Sequence, residues 1–149
     1  CPRREMAPRG VGRAVVDRIP GGGMFTRVVS QEVGAKGTVH AVGGPPRPGT
    51  GPAKPPPTPA QDTIAADPNY SNVKSIHVPL MQMTIPSKAD IVWTSQNYHD
   101  LHLSAINTDV GALDKLWLKI PKPGGTLMVI DHVALAGSPA TATAAKPHA

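Results

Sequence analysis

Ala14-Val15-Val16-Asp17-Arg18-Ile19-Pro20-Gly21-Gly22-Gly23, followed by the stripe Phe25, Val28, Val29 and Val33, is the stretch from which the fold is read. Ala14 to Ile19 is a short β-branched run ended by Pro20 and three glycines, which predicts a strand. From Met24 to Val33 the apolar residues fall at i, i+3, i+4 and i+8, one face of a helix that Gly34 closes. A strand that turns through glycines straight into a helix is the opening of an α/β unit. Glycines at such a turn let the backbone approach a ligand closely, and the helix start offers unpaired N–H groups. Open α/β sheets bind nucleotides there, beyond the carboxyl ends of the strands. The spacing is neither G-x-G-x-x-G nor a P-loop, since no Gly-Lys-Ser/Thr follows. A tight strand-to-helix turn without a ligand is therefore the competing reading.

Thr38–Val42 predicts a second strand, Val73–Val78 a third and Ala89–Thr94 a fourth. Gln61–Ala66 reads as a short helix and Asp67-Pro68-Asn69 as a turn. Between Asp109 and Ile120 the residues Val110, Leu113, Leu116, Trp117 and Ile120 form a strong amphipathic helix, which Pro121-Lys122-Pro123-Gly124-Gly125 should stop. Thr126–Ile130 is the clearest strand, apolar along its length as a strand covered on both faces should be. The alternation predicts a doubly wound α/β domain with a parallel sheet of about five strands. Trp93 and Trp117 are expected in its core. Residues 43–60 break the rhythm: twelve of the eighteen are Gly or Pro, the composition of a linker. The expected organisation is a disordered basic tail over 1–13, a domain over 14–135 interrupted by the linker at 43–60, and a disordered tail over 136–149.

The 149 residues suit one domain, and Pro (18) with Gly (15) make up about a fifth of them, short of a wholly disordered composition. The net charge of +5 is unevenly spread. Residues 1–60 hold nine Lys/Arg against three Asp/Glu, and residues 61–149 hold six against seven. The excess is a solvated tail around Arg3, Arg4, Arg9 and Arg13, and no basic face with aromatic or groove-reading elements argues for nucleic acid. A single cysteine, Cys1, excludes an internal disulfide and a cysteine-based zinc site. No apolar run approaches the roughly 18 residues that span a bilayer, and no signal peptide is recognisable. The chain does not begin with Met, so a fragment or processed form is expected; a chance start explains Cys1 more simply than a processed lipoprotein. Cytoplasmic residence is the default and export the alternative.

Two further clusters carry chemistry. Trp93-Thr94-Ser95-Gln96-Asn97-Tyr98-His99-Asp100-Leu101-His102 puts a dense run of hydrogen-bonding side chains directly after a buried strand, on the rim of the glycine loop if the sheet is parallel. A capping and turn segment is the bland alternative. Tyr98 and His99 are candidates to place or deprotonate a substrate group, because histidine titrates near neutral pH. Asp131-His132 ends the last strand on the same rim. His99, His102, Asp131 and His132 would make a metal site only by converging, and no ligand-spacing motif supports this, so no metal is expected. His40, His77 and His148 have no partners visible in the sequence and read as structural or exposed.

Three segments in order carry a resemblance. Val16-Asp17-Arg18-Ile19-Pro20-Gly21-Gly22-Gly23-Met24-Phe25-Thr26-Arg27 looks like the cofactor motif of a bacterial family of class I S-adenosylmethionine-dependent methyltransferases. Asp90 to His102 resembles that family's fourth-strand motif, and Lys122-Pro123-Gly124-Gly125, strand, Asp131-His132 its fifth. The resemblance covers about residues 11–42 and 62–138. It implies a Rossmann-like sheet, S-adenosylmethionine as cofactor and methyl transfer to an unknown, small-molecule or other, acceptor. It places Asp17, Pro20, Gly21, Gly22 and Gly23 at the methionine part of the cofactor, and Ser95, Gln96, Asn97 and Tyr98 at the cofactor and substrate mouth. His99 would be the general base where the acceptor carries a proton. The chain departs from the family in four places, one being the Pro-rich linker at 43–60 where the helix after the second strand is expected. Val42 is followed by Gly43-Gly44-Pro45, where an acid for the ribose hydroxyls is expected. Arg18 stands where an apolar residue belongs. The family's final helix and C-terminal β-hairpin are missing, which would expose a sheet edge open to self-association. A non-catalytic truncated remnant of the fold is thus an alternative to an active methyltransferase, and a metal-assisted hydrolase using the His/Asp cluster is another.

Overall fold

The computed structural model describes residues 12–45, 57–82, 85, 88–103, 106 and 108–132. Strands and helices alternate along them: β1 (Ala14–Arg18), α1 (Met24–Val33), β2 (Thr38–Gly43), α2 (Ala60–Ala65), β3 (Val73–His77), β4 (Ala89–Ser95), α3 (Val110–Trp117) and β5 (Pro121–Ile130). Short 3-10 turns lie at Pro68–Tyr70 and His99–His102. The five strands form one sheet in the order β3-β2-β1-β4-β5, and every pairing is parallel. The chain steps outward from β1 to β3 and then crosses to β4 on the other side of β1. The order of winding therefore reverses between β1 and β4, the point at which doubly wound sheets open a crevice at their carboxyl ends. This is the Rossmann-like α/β fold expected from the sequence.

The β-branched runs form the central strands because both of their faces are covered. Val15, Val39, Ala41 and Val73 pack with Val33 of α1 and Ile64 of α2. On the opposite face Val16, Val42 and Val92 pack with Leu113 and Trp117 of α3. Each such buried aliphatic contributes about 1.5–3 kcal/mol. Helices as short as α2 and α3 owe their persistence to this packing rather than to intrinsic propensity. Asp109 caps α3 by accepting from the Ala112 N–H at 3.0 Å. Asn72 closes α1 by donating to the Ser30 and Gly34 carbonyls at 2.8 and 2.9 Å.

Several expectations need correcting. Pro121 to Gly125 do not stop the helix; α3 already ends at Trp117, and these residues are the first half of β5. The register with β4 slips between Ala89 and Ile91, and the slip is accommodated at the glycines. Gly124 has φ +78°, and a side chain on Gly125 would meet the Ala89 and Asp90 carbonyls at 3.0 Å. β5 is not covered on both faces: its described neighbour is β4 alone, and Met128, Val129 and Ile130 are 38, 42 and 45% exposed. The apolar stripe of α1 coincides with its buried face only in part: Val33 is buried and Val29 packs against the core, but the face also takes in polar residues. Thr26, Ser30 and Val33 point inward, and Val28 is exposed. Trp93 is only half-buried, its ring 5.3 Å from that of Phe25. Arg18, although charged, is fully buried. Its guanidinium lies 5.3 Å from the Trp117 ring and donates to the Leu80 carbonyl at 3.3 Å, while burial pushes its pKa down to about 10. The expected tails lie almost wholly outside the described residues, as do 46–56 of the expected linker. Gly43 is instead the last residue of β2 and Ala60 the first of α2.

Candidate functional site

The site grows from the carboxyl end of β1. Ile19 follows the strand with φ +56°, a left-handed conformation that costs a β-branched residue energy unless its surroundings enforce it. They do so twice: Ile19 N–H donates to the Val42 carbonyl at 2.9 Å, and its own carbonyl accepts from Asn97 Nδ2 at 2.9 Å. Pro20 then fixes the turn, and Gly21 and Gly23 adopt φ +53° and +73°. A Cβ on Gly21 or Gly22 would meet nothing within 4 Å, so open space lies in front of both. At Gly23 a Cβ would sit 2.3 Å from Ile64 Cδ1, so α1 starts hard against α2. Arg27 braces the loop from the helix, its Nη1 donating to the Gly22 and Gly23 carbonyls at 3.3 and 3.2 Å.

Asp17 lies beneath this loop. Its carboxyl is 2% exposed and accepts from Thr26 Oγ1 at 2.5 Å. Burial outweighs that bond and raises its pKa to about 6. The first helical turn is thus tied to the strand below it.

The end of β4 stands beside the loop, across the switch point. Thr94 is completely buried and its hydroxyl donates to Asn97 Oδ1 at 2.5 Å; Asn97 in turn holds the Ile19 carbonyl. This chain of bonds couples the two strand ends. Gln96, like Ile19, has φ +56°, and its N–H donates to the Ile130 carbonyl of β5 at 2.8 Å. The side-chain oxygen of Ser95 and the indole nitrogen of Trp93 are buried without a hydrogen-bond partner.

The next two residues turn away from the glycine loop. Tyr98 donates its hydroxyl to both carboxyl oxygens of Asp114 on α3, at 3.0 and 2.9 Å. Burial and then that carboxylate push its pKa up to about 12, so the phenol keeps its proton. His99 lies against Asp131: Nδ1 is 2.7 Å from Oδ1, and the His99 N–H donates to Oδ2 at 2.8 Å. Its Nε2 is 3.3 Å from Asp100 Oδ1, and its ring meets that of His132 edge-on at 5.5 Å. His102 stands against the Tyr98 ring instead. Of the four residues whose convergence a metal would have required, His102 stands apart from His99, Asp131 and His132, and among the described residues no group of three His, Cys, Asp or Glu is arranged to hold one.

Between the ends of β1 and β2 a cleft of about 290 Å³ opens. Its walls are Ile19, three glycines and four prolines, and its polar side chain is Gln61 of α2. Sequence reasoning did not single out Gln61, because a glutamine opening a short helix carries no motif. It also missed Thr94 as the link between strands. His77 has partners after all: Nε2 lies 2.7 Å from Asp62 Oδ1 and Nδ1 2.9 Å from the Gly44 carbonyl. His40 is buried, with Nδ1 lacking a partner.

The structure thus brings Pro20 to Gly23 together with Ser95 to Asn97 at the switch point, Asp17 below them and His99 with Asp131 farther along the rim. No protein-family model and no curated protein sequence matches the chain. Solved structures do. A SAM-dependent methyltransferase from Aquifex aeolicus aligns over 87% of this chain and 63% of its own, at 20% identity and TM-score 0.58. The CcbJ methyltransferase from Streptomyces caelestis aligns over 78% and 44%, at 18% identity and TM-score 0.57. A S-adenosylmethionine-dependent methyltransferase from Mesorhizobium loti aligns over 85% and 50%, at 20% identity and TM-score 0.56. The chain spans between 44 and 63% of the length of these three proteins. At this level of identity the likeness is one of architecture: the described sheet has the doubly wound fold of these methyltransferases.

Proposed function

We propose that the chain is the cofactor-binding part of a class I methyltransferase, with S-adenosylmethionine held over the Pro20–Gly23 loop and an unidentified acceptor at the mouth beyond β4. The observation that carries this reading is the loop itself. It pairs left-handed glycines with open space in front of Gly21 and Gly22, at the carboxyl end of the central strand of a fold that methyltransferases share. The three ordered segments that resemble a methyltransferase family support it. The cleft fits the group in kind, since its apolar walls suit a flat nucleoside and Gln61 offers a polar contact.

When bound, S-adenosylmethionine supplies a sulfonium methyl group for in-line attack by the acceptor. The chain's own part is mostly alignment, which can account for a large share of a bimolecular rate enhancement. The glycine loop admits close backbone approach, and Ser95, Gln96 and Asn97 line the mouth. Tyr98 belongs to the positioning of this segment, because its hydroxyl is committed to Asp114. His99 is the residue to take the proton of a protonated acceptor once its Nε2 leaves Asp100 Oδ1, 3.3 Å away, while Asp131 holds the ring through Nδ1. The exposed β5 edge is the surface through which two copies would associate.

Titration calorimetry with S-adenosylmethionine and S-adenosylhomocysteine, with thermal shift alongside, tests the reading. Both ligands should bind saturably. Gly22→Asp should abolish binding while leaving the melting transition of the free protein close to wild type, because a Cβ there meets no neighbour. A folded chain that binds neither ligand would overturn the proposal and favour a remnant of the fold.

A further inference from the structure

The cleft between β1 and β2 is walled by proline, glycine and isoleucine, so a ligand's polar groups have little to meet there. Gln61 is the exception, and its orientation is determined. Nε2 donates to the Ile76 carbonyl at 3.0 Å. Turning the amide over would set two oxygens against each other at that contact, so Oε1 is the atom on the other side. There it lies over the last residue of β2: a Cβ on Gly43 would come within 2.4 Å of Oε1. The carboxamide oxygen thus occupies the space in which a side chain at the end of β2 would begin, and Gly43 is required for it to do so.

This position has a meaning in doubly wound nucleotide-binding sheets, where an acid near the end of the second strand receives ribose hydroxyls. Here Gly43 and Gly44 have no side chain to do this. The carboxylate that follows Gln61 on α2, Asp62, is already engaged by Ser75 and His77. We propose that Oε1 of Gln61 is the hydroxyl acceptor of the cleft, taking one hydrogen bond from the sugar of a nucleoside ligand in place of a strand-borne carboxylate. The nucleoside class rests on the function proposed above. The acceptor is neutral and single. It reads one of the two hydroxyls, and it does not repel a negative group on the other as a carboxylate would.

Calorimetry on the full chain tests this with four probes: S-adenosylhomocysteine, adenosine, 2′-deoxyadenosine and 3′-deoxyadenosine. Wild-type protein should bind one deoxynucleoside about as well as adenosine and the other roughly tenfold more weakly. Gln61→Met, close in volume, should bind adenosine roughly tenfold more weakly than wild type and lose the difference between the two deoxynucleosides. A merely structural Gln61 would weaken all probes alike and keep their ratios, which overturns the proposal. Equal binding of S-adenosylhomocysteine by wild type and a folded Gln61→Met overturns it too, and leaves the methyltransferase reading standing. Gln61-dependent binding of adenosine without any binding of S-adenosylhomocysteine upholds the acceptor and removes the methyltransferase. Failure of every probe removes both.

Discussion

Asp17 carries the clearest cost at the residue scale. Its carboxyl is 2% exposed, accepts one side-chain hydrogen bond from Thr26, and has its pKa raised to about 6 by burial from a usual value of 3.8. The folded state therefore holds a proton that the unfolded chain gives up earlier. Stability from this residue is fully present below pH 3.8, falls as pH rises towards 6, and is absent above it. At neutral pH the deficit is on the order of 3 kcal/mol. Asp17→Asn keeps an acceptor for Thr26 and carries no charge. It should stabilise the chain by about that amount at pH 7.5 and by almost nothing near pH 4, in urea unfolding at the two pH values. A destabilised variant at pH 7.5 would show that the carboxylate is needed in its ionised form. Ile19 and Gln96, both at φ +56°, are costs of a second kind, placed at the facing ends of β1 and β4 where a ligand would bind.

At the scale of elements, His77 joins β3 to α2 and to the end of β2. Its Nδ1 faces the Gly44 carbonyl and its Nε2 faces Asp62, so two acceptors favour the doubly protonated ring. The Gly44 carbonyl and then Asp62 raise its pKa, while Ser75 and then His77 hold Asp62 below its ordinary value. The histidine's contribution is complete below the ordinary pKa of about 6.5 and is lost as pH rises through the raised value. That of Asp62 is present above about 3.8 and is lost as pH falls through the lowered one. The join is strongest between these limits. His77→Gln should therefore flatten the loss of stability that sets in as pH rises above about 6.5, a window that does not overlap that of Asp17. Parallel pH profiles of the urea midpoint that stay superimposable over that range would refute the join. None of this was legible in the sequence, because Gly44, Asp62 and His77 meet only after the sheet has formed. The elements themselves were legible. The helix over Met24–Val33 has the predicted bounds, since Gly34 closes it after one continuous stripe. β5 departs from its sequence expectation along both halves. Its Pro-Lys-Pro-Gly-Gly start pairs through a bulge, and its apolar run faces solvent where a buried strand was expected. The glycine loop could be located from spacing alone, whereas Gln61 could not, because its importance comes from the absence of a side chain at Gly43.

For the whole molecule the governing fact is an asymmetry of the sheet. β1, β2 and the inner face of β4 are enclosed by helices on both sides, yet among the described residues the sheet ends at β5, with Met128, Val129 and Ile130 between 38 and 45% exposed. All-parallel sheets are ordinarily covered on both faces, and an uncovered apolar edge presents a row of unpaired N–H and C=O groups to any second strand. Alternation along β5 puts Met128 and Ile130 on one face and Leu127 and Val129 on the other, so the exposed surface wraps round the edge. The described part of β5 carries one charged side chain, Lys122, and it pairs with Asp90 at the amino end of the strand. Among the described residues no like-charge repulsion guards the carboxyl half, where β5 runs up to the rim that holds His99 and Asp131. Two copies meeting there would bury apolar area and pair the backbone groups for which the described residues offer no second strand. The chain should accordingly sediment as a dimer or larger species that dissociates on dilution. Met128→Lys with Ile130→Lys should return it to a monomer without lowering the melting temperature, because neither side chain is packed in the core. Ligand binding at the glycine loop should survive the double substitution, since that loop lies two strands away from β5. A wild-type chain that is monomeric across the whole dilution series would show that the β5 edge does not draw two copies together.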